Sequence, residues 1–429
     1  MLDIRLIRDD PATVRANLER RGLPDKLHLL DEVIAKDLEW RKLLQEVDAL
    51  KHRRNVLSKE IGEAKRAGKD VTAVQKEAAD LPGQLDTKAR LVEALRAEVD
   101  AHLLRLPNLL HDSVPTGKTA ADNVEVRRWG EPKKPDFPLK PHGELLEALG
   151  LGDFERARKA AGAGFVYLLG DLVLLDQALI QFALQELVKK GYTPVFPPFL
   201  LRREAYQGMV DLSAFEEVMY KIEGEDLYLI ATSEHPIGAM LQGEILDEAR
   251  LPMRFAGYST NFRKEIGGHG VDTKGLFRMH QFNKVEQFAF CAPEDSWKIH
   301  EEMMAVTEGL FQALGLPYRV ITLCSADTGL VMAKTYDMEA WFPRQAAYAE
   351  VASISNAIDY QARRLNIRVG RHGGEKRVAH TLNGTAIATS RALVAILENH
   401  QDADGTVTVP QVLRPFMGGR AALGGPRTA

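Results

Sequence analysis

Cysteine is scarce in this sequence: only Cys291 and Cys324 occur in 429 residues, and they lack metal-ligand spacing. This argues against a disulfide scaffold and fits a reducing cytosol. No apolar run is long enough to span a bilayer, and the N-terminal segment lacks the apolar stretch of a secretory signal. The formal net charge of −4 gives no overall excess of one sign, so contact with a polyanion requires a local patch.

The first quarter of the chain carries a heptad pattern. Apolar residues recur every seven positions between residues 33 and 61, interrupted by Arg54, with leucines filling the intermediate row, and a similar seam runs from residue 71 to residue 99. Such a seam is typical of coiled coils. The pattern predicts two long helices joined by a tight turn, an antiparallel hairpin over about residues 30–105. Pro82-Gly83 is expected to kink or split the second helix.

The tip of the predicted hairpin is basic. Between Lys51 and Lys69 seven lysines and arginines stand against two glutamates. A charge run by itself is more often a solvated helical face. A rod with a positive end, however, suits a long polyanion, so we predict an RNA-binding arm. The candidate RNA contacts are Arg53, Arg54, Lys59, Lys65 and Arg66.

Composition divides the rest of the chain. We predict an N-terminal domain over 1–108, a Pro-, Gly- and Lys-rich linker over 109–140, a second domain over 141–419 and a flexible tail over 420–429. Helical and strand-like runs alternate irregularly in the second domain, which indicates an α+β fold with a mainly antiparallel sheet. Helices are predicted at residues 171–190, 295–314 and 386–398, and strands at 124–126, 194–196, 227–230, 285–290, 318–323 and 347–352.

The most informative stretch is 261–265, Asn-Phe-Arg-Lys-Glu, followed after a glycine-rich turn by 277–282, Phe-Arg-Met-His-Gln-Phe. A hairpin of this kind can hold a nucleotide, because arginines fork onto phosphates and a glutamate accepts from an exocyclic amine. The turn nearly has P-loop spacing, but Leu276-Phe277 stand where Lys and Ser/Thr are required, so a P-loop is rejected. A dinucleotide fingerprint is also missing from the sequence.

Further polar residues close predicted strands or precede a predicted helix. Taken singly, each is more often a helix cap, a solvated carboxylate or a turn residue. Together they supply carboxylates for an ammonium and for magnesium, arginines for phosphates and hydroxyls for a polar side chain. They predict a site that joins an amino acid to ATP. These residues are Thr232-Ser233-Glu234, Glu286, Glu350, Ser353, Asn383, Thr385 and Arg391.

With these residues in view, the sequence resembles the seryl-tRNA synthetases over nearly its whole length, and the hairpin matches their N-terminal tRNA-binding domain. The three motifs of class II synthetases are matched at residues 191–198, at 262–265 with 278–286, and at 383–399. Stretches typical of the seryl family are matched at 350–356, 361–364 and 413–419.

The resemblance implies a helical arm and a class II catalytic domain. It also implies ATP-dependent formation of seryl-adenylate from L-serine and transfer of serine to the 3′-terminal adenosine of tRNA(Ser). It leaves open whether tRNA(Sec) is also charged. A cytoplasmic homodimer built across motif 1 is implied, with each arm receiving the long variable arm of a tRNA.

The resemblance also implies a role for each matched residue. Arg263, Glu265 and Arg391 would be catalytic, and Glu350 and Ser353 would ligate Mg²⁺. The serine-binding residues would be Thr232, Ser233, Glu234, Arg263, Glu286, Asn383 and Thr385. The ATP-binding residues would be Arg263, Lys264, Glu265, Met279, Glu350, Val351, Ala352, Ser353 and Arg391.

Departures from the family pattern leave alternatives open. The motif 2 turn differs at Gly268, His269, Val271 and Lys274, which puts contacts with the tRNA acceptor end in question. A relative that loads serine onto a carrier protein would lack the long arm. A non-catalytic RNA-binding paralogue would be expected to lose arginines and glutamates of the site, all of which are present.

Overall fold

The computed structural model describes residues 1–132, 134–265, 275–371 and 373–424. The chain divides into two compact units, one comprising Leu2–Pro107 and the other comprising Met1 and the chain from Asn108 onward. We call them the helical unit and the sheet unit. The motif 2 departures at 268, 269, 271 and 274, and the last five residues of the predicted tail, lie outside the described residues.

The helical unit contains the predicted hairpin. Its two long helices pack side by side and run antiparallel, because ion pairs join Lys36 to Glu98 near one end and Arg53 to Glu77 near the other. The seam leucines Leu57 and Leu81 are buried. The helices are α1 (Ile4–Asp9), α2 (Pro11–Arg20), α3 (Pro24–Arg66) and α4 (Thr72–Leu103).

Pro82-Gly83 is expected from sequence to kink or split the second long helix. The split is wrong, because α4 runs unbroken through both residues. A proline inside a helix costs about 3 kcal/mol, because it removes one hydrogen bond and crowds the preceding turn. The adjacent Leu81 is buried, and burying such a side chain stabilises by roughly 1.5–3 kcal/mol. Packing of α4 along the length of α3 adds further side chains of this kind, so the helix persists.

A central sheet organises the sheet unit. Within the described residues its order is β1-β10-β11-β12-β15-β9-β8-β4, antiparallel throughout except where β4 lies beside β8. The predicted mainly antiparallel α+β fold is thus confirmed. The strands are β1 (Val124–Trp129), β2 (Gly152–Asp153), β3 (Tyr167–Leu168), β4 (Thr193–Val195), β5 (Leu200–Leu201), β6 (Tyr228–Leu229), β7 (Ile245–Asp247), β8 (Met253–Phe262), β9 (Gln281–Cys291), β10 (Tyr318–Thr322), β11 (Lys334–Phe342), β12 (Ala347–Ile358), β13 (Arg368–Gly370), β14 (Lys376–Val378), β15 (His380–Ala388), β16 (Val407–Thr408) and β17 (Ala422–Leu423).

Helices cover the sheet on both faces. One face carries α7, α11 and α13 over a large apolar core, and the other carries α10 and α12. Among the described residues, none of the helices is both long and apolar enough to cross a membrane. The helices are α5 (His142–Ala148), α6 (Phe154–Ala161), α7 (Asp171–Lys189), α8 (Arg203–Met209), α9 (Leu212–Phe215), α10 (Glu234–Ala239), α11 (Ser296–Ala313), α12 (Tyr360–Arg364) and α13 (Thr389–Asn399).

Two segments differ from the sequence-based expectations. The predicted linker over 109–140 contributes β1, which is an edge strand of the central sheet and is twice as long as the short strand expected there. The helix expected at 386–398 begins only at Thr389, because residues up to Ala388 continue β15. A short apolar run such as Ala386-Ile387-Ala388 fits a buried strand or a buried helix equally well.

Candidate active site

Two neighbouring strands place the predicted serine-binding residues on one face of the sheet. In β9 side chains alternate between faces, so Lys284 and Glu286 lie on the same face as Phe288, which packs against α10. In β15 Thr385 pairs with Glu286 across the strands. The Thr385 hydroxyl donates to Glu286 Oε2 at 3.2 Å, and Lys284 Nζ lies 2.7 Å from the same oxygen. The result is a buried carboxylate that holds a cation and a hydroxyl.

A second carboxylate, that of the half-buried Glu234, faces this group from the start of α10. Its Oε1 accepts hydrogen bonds from Asn383 Nδ2 at 2.8 Å and from Gln361 Nε2 at 3.0 Å. Its backbone N–H donates to Thr232 Oγ1 at 3.2 Å, which fixes the turn that leads into the helix. Burial raises the pKa of Glu234 to about 7, with repulsion from Glu286 as the next cause.

A cavity opens next to these carboxylates. Its volume is about 70 Å³. Lys284 and Thr385, which contact the Glu286 carboxylate, also line the cavity. Of the predicted ATP-binding residues it brings together Arg263, Glu265, Met279, Glu350, Val351, Ala352 and Arg391.

Arginines dominate the charge of this pocket. The Arg263 guanidinium carbon lies 5.3 Å from the Phe282 ring centroid, and its Nε donates to the Ala231 carbonyl at 3.2 Å. Burial lowers the pKa of Arg263, but an arginine stays protonated in proteins. Arg391 Nη1 contacts the backbone carbonyl of Glu350 at 2.8 Å and its carboxylate at 3.0 Å. Two arginines therefore line one cavity, and guanidinium groups are well suited to bind phosphate oxygens.

A β-bulge in β12 brings the two predicted metal ligands to one face. Glu350 and Ser353 are three residues apart, so a regular strand would turn them to opposite faces. The register shifts between their partners, and Glu350 pairs with Glu339 while Ser353 pairs with Asp337. Glu339 and Asp337 are two residues apart in β11 and share a face, so Glu350 and Ser353 share it too.

Not every predicted residue lies in this group. The Lys264 ammonium lies 5.7 Å from the Tyr220 ring centroid, and Lys264 does not line the cavity. The Ser233 hydroxyl donates to the Gly257 carbonyl of β8 at 3.1 Å. Ser353 lies on the same face as Glu350 but outside the cavity wall.

Sequence reasoning assigned no role to three residues that the structure places in the site: Lys284, Phe282 and Gln361. The sequence could have indicated Lys284 and Phe282, because they stand two and four residues before Glu286 and therefore share its face in a strand. Gln361 is more than 120 positions from Glu234 in the sequence, so no local spacing could connect them.

At the tip of the helical unit the predicted RNA contacts differ in how they are paired. Arg53 makes two hydrogen bonds of 2.8 Å to Glu77 and lies 3.6 Å from Glu60. Lys59 lies 3.9 Å from Glu63. Among the described residues, Arg54, Lys65 and Arg66 form no ion pair, so their charges remain available to a polyanion.

Both units match known protein families. Residues 1–110 match the model of the seryl-tRNA synthetase N-terminal domain, and residues 217–400 match that of the tRNA synthetase class II core domain (G, H, P, S and T). The serine–tRNA ligase of Methanocella arvoryzae is 57% identical over 98% of this chain and 99% of its own length. The chain belongs to the seryl-tRNA synthetase family. Its enzyme class is therefore that of the ATP-dependent serine–tRNA ligases, as the resemblance implied.

Solved structures of the family have the same fold. The Pyrococcus horikoshii seryl-tRNA synthetase, solved in complex with ATP, matches with a TM-score of 0.95 and 46% identity and covers 99% of both chains. The cytoplasmic serine–tRNA ligase of Naegleria fowleri, solved with AMP, matches with a TM-score of 0.90 and 35% identity over 99% of this chain and 98% of its own.

Proposed function

We propose that the face shared by β9 and β15 binds serine and ATP side by side, for activation of the serine carboxylate at the α-phosphate. The observation that carries this proposal is that Lys284 and Thr385 contact the Glu286 carboxylate and also line the cavity proposed for the nucleotide. Serine's hydroxyl would meet Glu286 and Thr385, and its ammonium would meet Glu234 with Thr232 and Asn383 nearby.

The chemistry needs charge neutralisation more than a side-chain nucleophile. A carboxylate oxygen of serine attacks the α-phosphorus in line and forms a new P–O bond. Pyrophosphate leaves with the electron pair of the P–O bond that breaks. Two anions repel each other, so Arg263 would bridge the carboxylate and the α-phosphate while Arg391 holds the γ-phosphate. Glu265 would accept from the adenine amine, and Phe282 offers a face for stacking. The 3′-hydroxyl of the terminal tRNA adenosine then attacks the adenylate carbonyl and displaces AMP.

We propose Glu350 and Ser353 as the residues that would hold Mg²⁺. Their oxygens are the ligand type that this cation prefers. Beside them, the Asp337 Oδ1 is buried with no hydrogen-bond partner, and burial together with the charge of Glu350 raises the pKa of Asp337. A cation at this place would favour the charged form of Asp337. When bound with ATP, it would neutralise phosphate charge during the transfer.

The first experiment is amino-acid-dependent ATP–pyrophosphate exchange with the purified protein. We expect exchange with serine and a preference over alanine on the order of 10⁴-fold, because alanine would leave the Glu286–Thr385 pair without its partner. Threonine keeps the hydroxyl and is rejected only by steric exclusion of its methyl group, so its rate should lie between the two; glycine should give no exchange. Absence of serine-dependent exchange would refute the proposal and favour a non-catalytic RNA-binding protein.

Serine activation should also depend on pH through Glu234. Because the pKa of Glu234 is raised to about 7, its carboxylate becomes protonated below that pH and can no longer pair with the serine ammonium. We expect kcat/KM for serine to fall about tenfold per pH unit below 7 and to level off above it, while the KM for ATP changes little. A Glu234→Gln variant should be weak in serine binding and should lack this acidic limb. If kcat/KM for serine in the wild type falls only near pH 4, the assignment of this pH dependence to Glu234 is contradicted.

We propose further that tRNA(Ser) is the RNA substrate, with its long variable arm on the basic tip that carries Arg54, Lys65 and Arg66. tRNA(Sec) remains a second candidate. A homodimer across motif 1 is supported by exposed apolar side chains in and just before it, since Phe196 beside β4 is 70% exposed and Val188, near the end of α7, is 50% exposed. The reaction belongs to translation, so we propose that the protein acts in the cytoplasm.

A further inference from the structure

Gln361 is a fully buried amide that contacts a proposed substrate-binding carboxylate. It lies in α12, which packs against β15 on the face of the sheet that carries the site. Its Nε2 donates to Glu234 Oε1 at 3.0 Å and to the Met209 carbonyl at 3.2 Å, and its Oε1 accepts from the Thr381 hydroxyl at 2.6 Å. Both amide hydrogens and the amide oxygen are therefore engaged.

These partners determine which way the amide points. The Met209 carbonyl can only accept a hydrogen bond, so the end of the Gln361 side chain that faces it must be the NH₂ group. The second hydrogen of that group then points at Glu234. The Thr381 hydroxyl holds the opposite end, and both Gln361 and Thr381 have no solvent exposure. A flipped amide would place its single oxygen against two acceptors, the Met209 carbonyl and the Glu234 carboxylate, so both of those hydrogen bonds would be lost.

The hydrogen bonds to Glu234 are unequally shared between its two oxygens. Gln361 and Asn383 both donate to Oε1, and within the described residues Oε2 accepts no hydrogen bond. We propose that Gln361 is a positioning residue for substrate: it holds Glu234 so that the second carboxylate oxygen faces the serine ammonium. This inference rests on the proposed role of Glu234. Substrate binding would then need no reorientation of the carboxylate, which is the benefit of a preorganised site.

Gln361 also favours the ionised form of Glu234, which is the form that can pair with the serine ammonium. A neutral amide that donates to a carboxylate favours its ionised form. The charged groups near Glu234 act on it through charge: repulsion from Glu286 raises its pKa, while Lys284 and Arg263 lower it. Gln361 therefore lowers the pKa of Glu234 without placing a cation where the substrate's own ammonium must bind.

The test compares Gln361→Met, which keeps the length of the side chain and loses its hydrogen bonds, with the wild type in pyrophosphate exchange. We expect the KM for serine to rise roughly 10- to 100-fold, the scale of a lost hydrogen bond to a charged group. The KM for ATP should stay within about twofold. The acidic limb of kcat/KM for serine should move to higher pH, because Glu234 loses a donor that favours its charged form.

Thr381 provides a matched pair of variants that leaves Gln361 in place. Thr381→Val removes the hydroxyl that anchors the amide and should raise the KM for serine in the same direction, whereas Thr381→Ser keeps the hydroxyl and should restore it. If the KM for ATP rises together with that for serine, or if Thr381→Ser behaves like Thr381→Val, Gln361 only supports the fold and the inference is overturned.

Glu234→Gln, measured in parallel, separates this inference from the function on which it rests. If Glu234→Gln weakens serine binding and Gln361→Met does not, the positioning role is wrong while the serine site stands. If neither variant changes the KM for serine, the role of Glu234 is itself wrong and the positioning role falls with it.

Discussion

Replacing Arg263 with alanine is expected to lower serine-dependent pyrophosphate exchange by about 10³-fold. Arg263 lines the cavity proposed to hold ATP and is the proposed contact of the serine carboxylate, and its Nε donates to the Ala231 carbonyl. Removing one preorganised donor from a reacting oxyanion typically costs about 10²–10³-fold in rate, and here a full charge is lost as well. Lysine at this position should recover little, because an ammonium cannot make the two parallel hydrogen bonds of a guanidinium.

Arg254→Ala is the matched control for this prediction. Arg254 lies on β8, the strand that leads to Arg263, but its guanidinium pairs with Glu302 of α11 on the opposite face of the sheet. Its loss should cost less than about 1 kcal/mol of stability and leave exchange near the wild-type rate. Equal losses of activity in the two variants would show that β8 tolerates no change, and would remove the support for a catalytic Arg263.

Periodicity explains why much of the fold was predictable from sequence. The heptad seam of α3 and α4 needs only local apolar spacing. The split at Pro82-Gly83 and the start of the last long helix at residue 386 are wrong for one reason. In both places tertiary packing outweighs local propensity: a buried seam keeps α4 intact, and pairing with β9 keeps Ala386–Ala388 in a strand.

The candidate site was predictable as a set of residues but not as an arrangement. Spacing cannot reveal that a bulge turns Glu350 to the face of Ser353, because a bulge is visible only in the register with the neighbouring strand. Nor can it join Gln361 to Glu234, since that contact requires α12 to fold back over β15. Strand alternation does connect Lys284 to Glu286, because residues two apart in a strand share a face.

Glu286→Ala should reduce both activity and stability, because the substitution leaves a buried cation without its partner. Lys284 and Glu286 are each at most 5% exposed, and their charged atoms lie 2.7 Å apart. Removing one member of a buried ion pair typically destabilises by about 3–5 kcal/mol. In a unit of this size that corresponds to a fall of roughly 10 °C in the thermal midpoint, measurable by differential scanning calorimetry.

A double variant can separate the two effects, because replacing a whole buried ion pair with apolar side chains is often neutral or stabilising. Lys284→Met combined with Glu286→Leu should therefore recover most of the lost thermal midpoint. Exchange with serine should nevertheless stay at least about 10³-fold below the wild type, since the apolar pair cannot accept from the serine hydroxyl. Recovery of stability and activity together would mean that Glu286 only compensates the charge of Lys284. Recovery of stability alone would assign the Lys284–Glu286 pair to the substrate rather than to the fold, with Lys284 Nζ holding the Glu286 carboxylate in place at 2.7 Å.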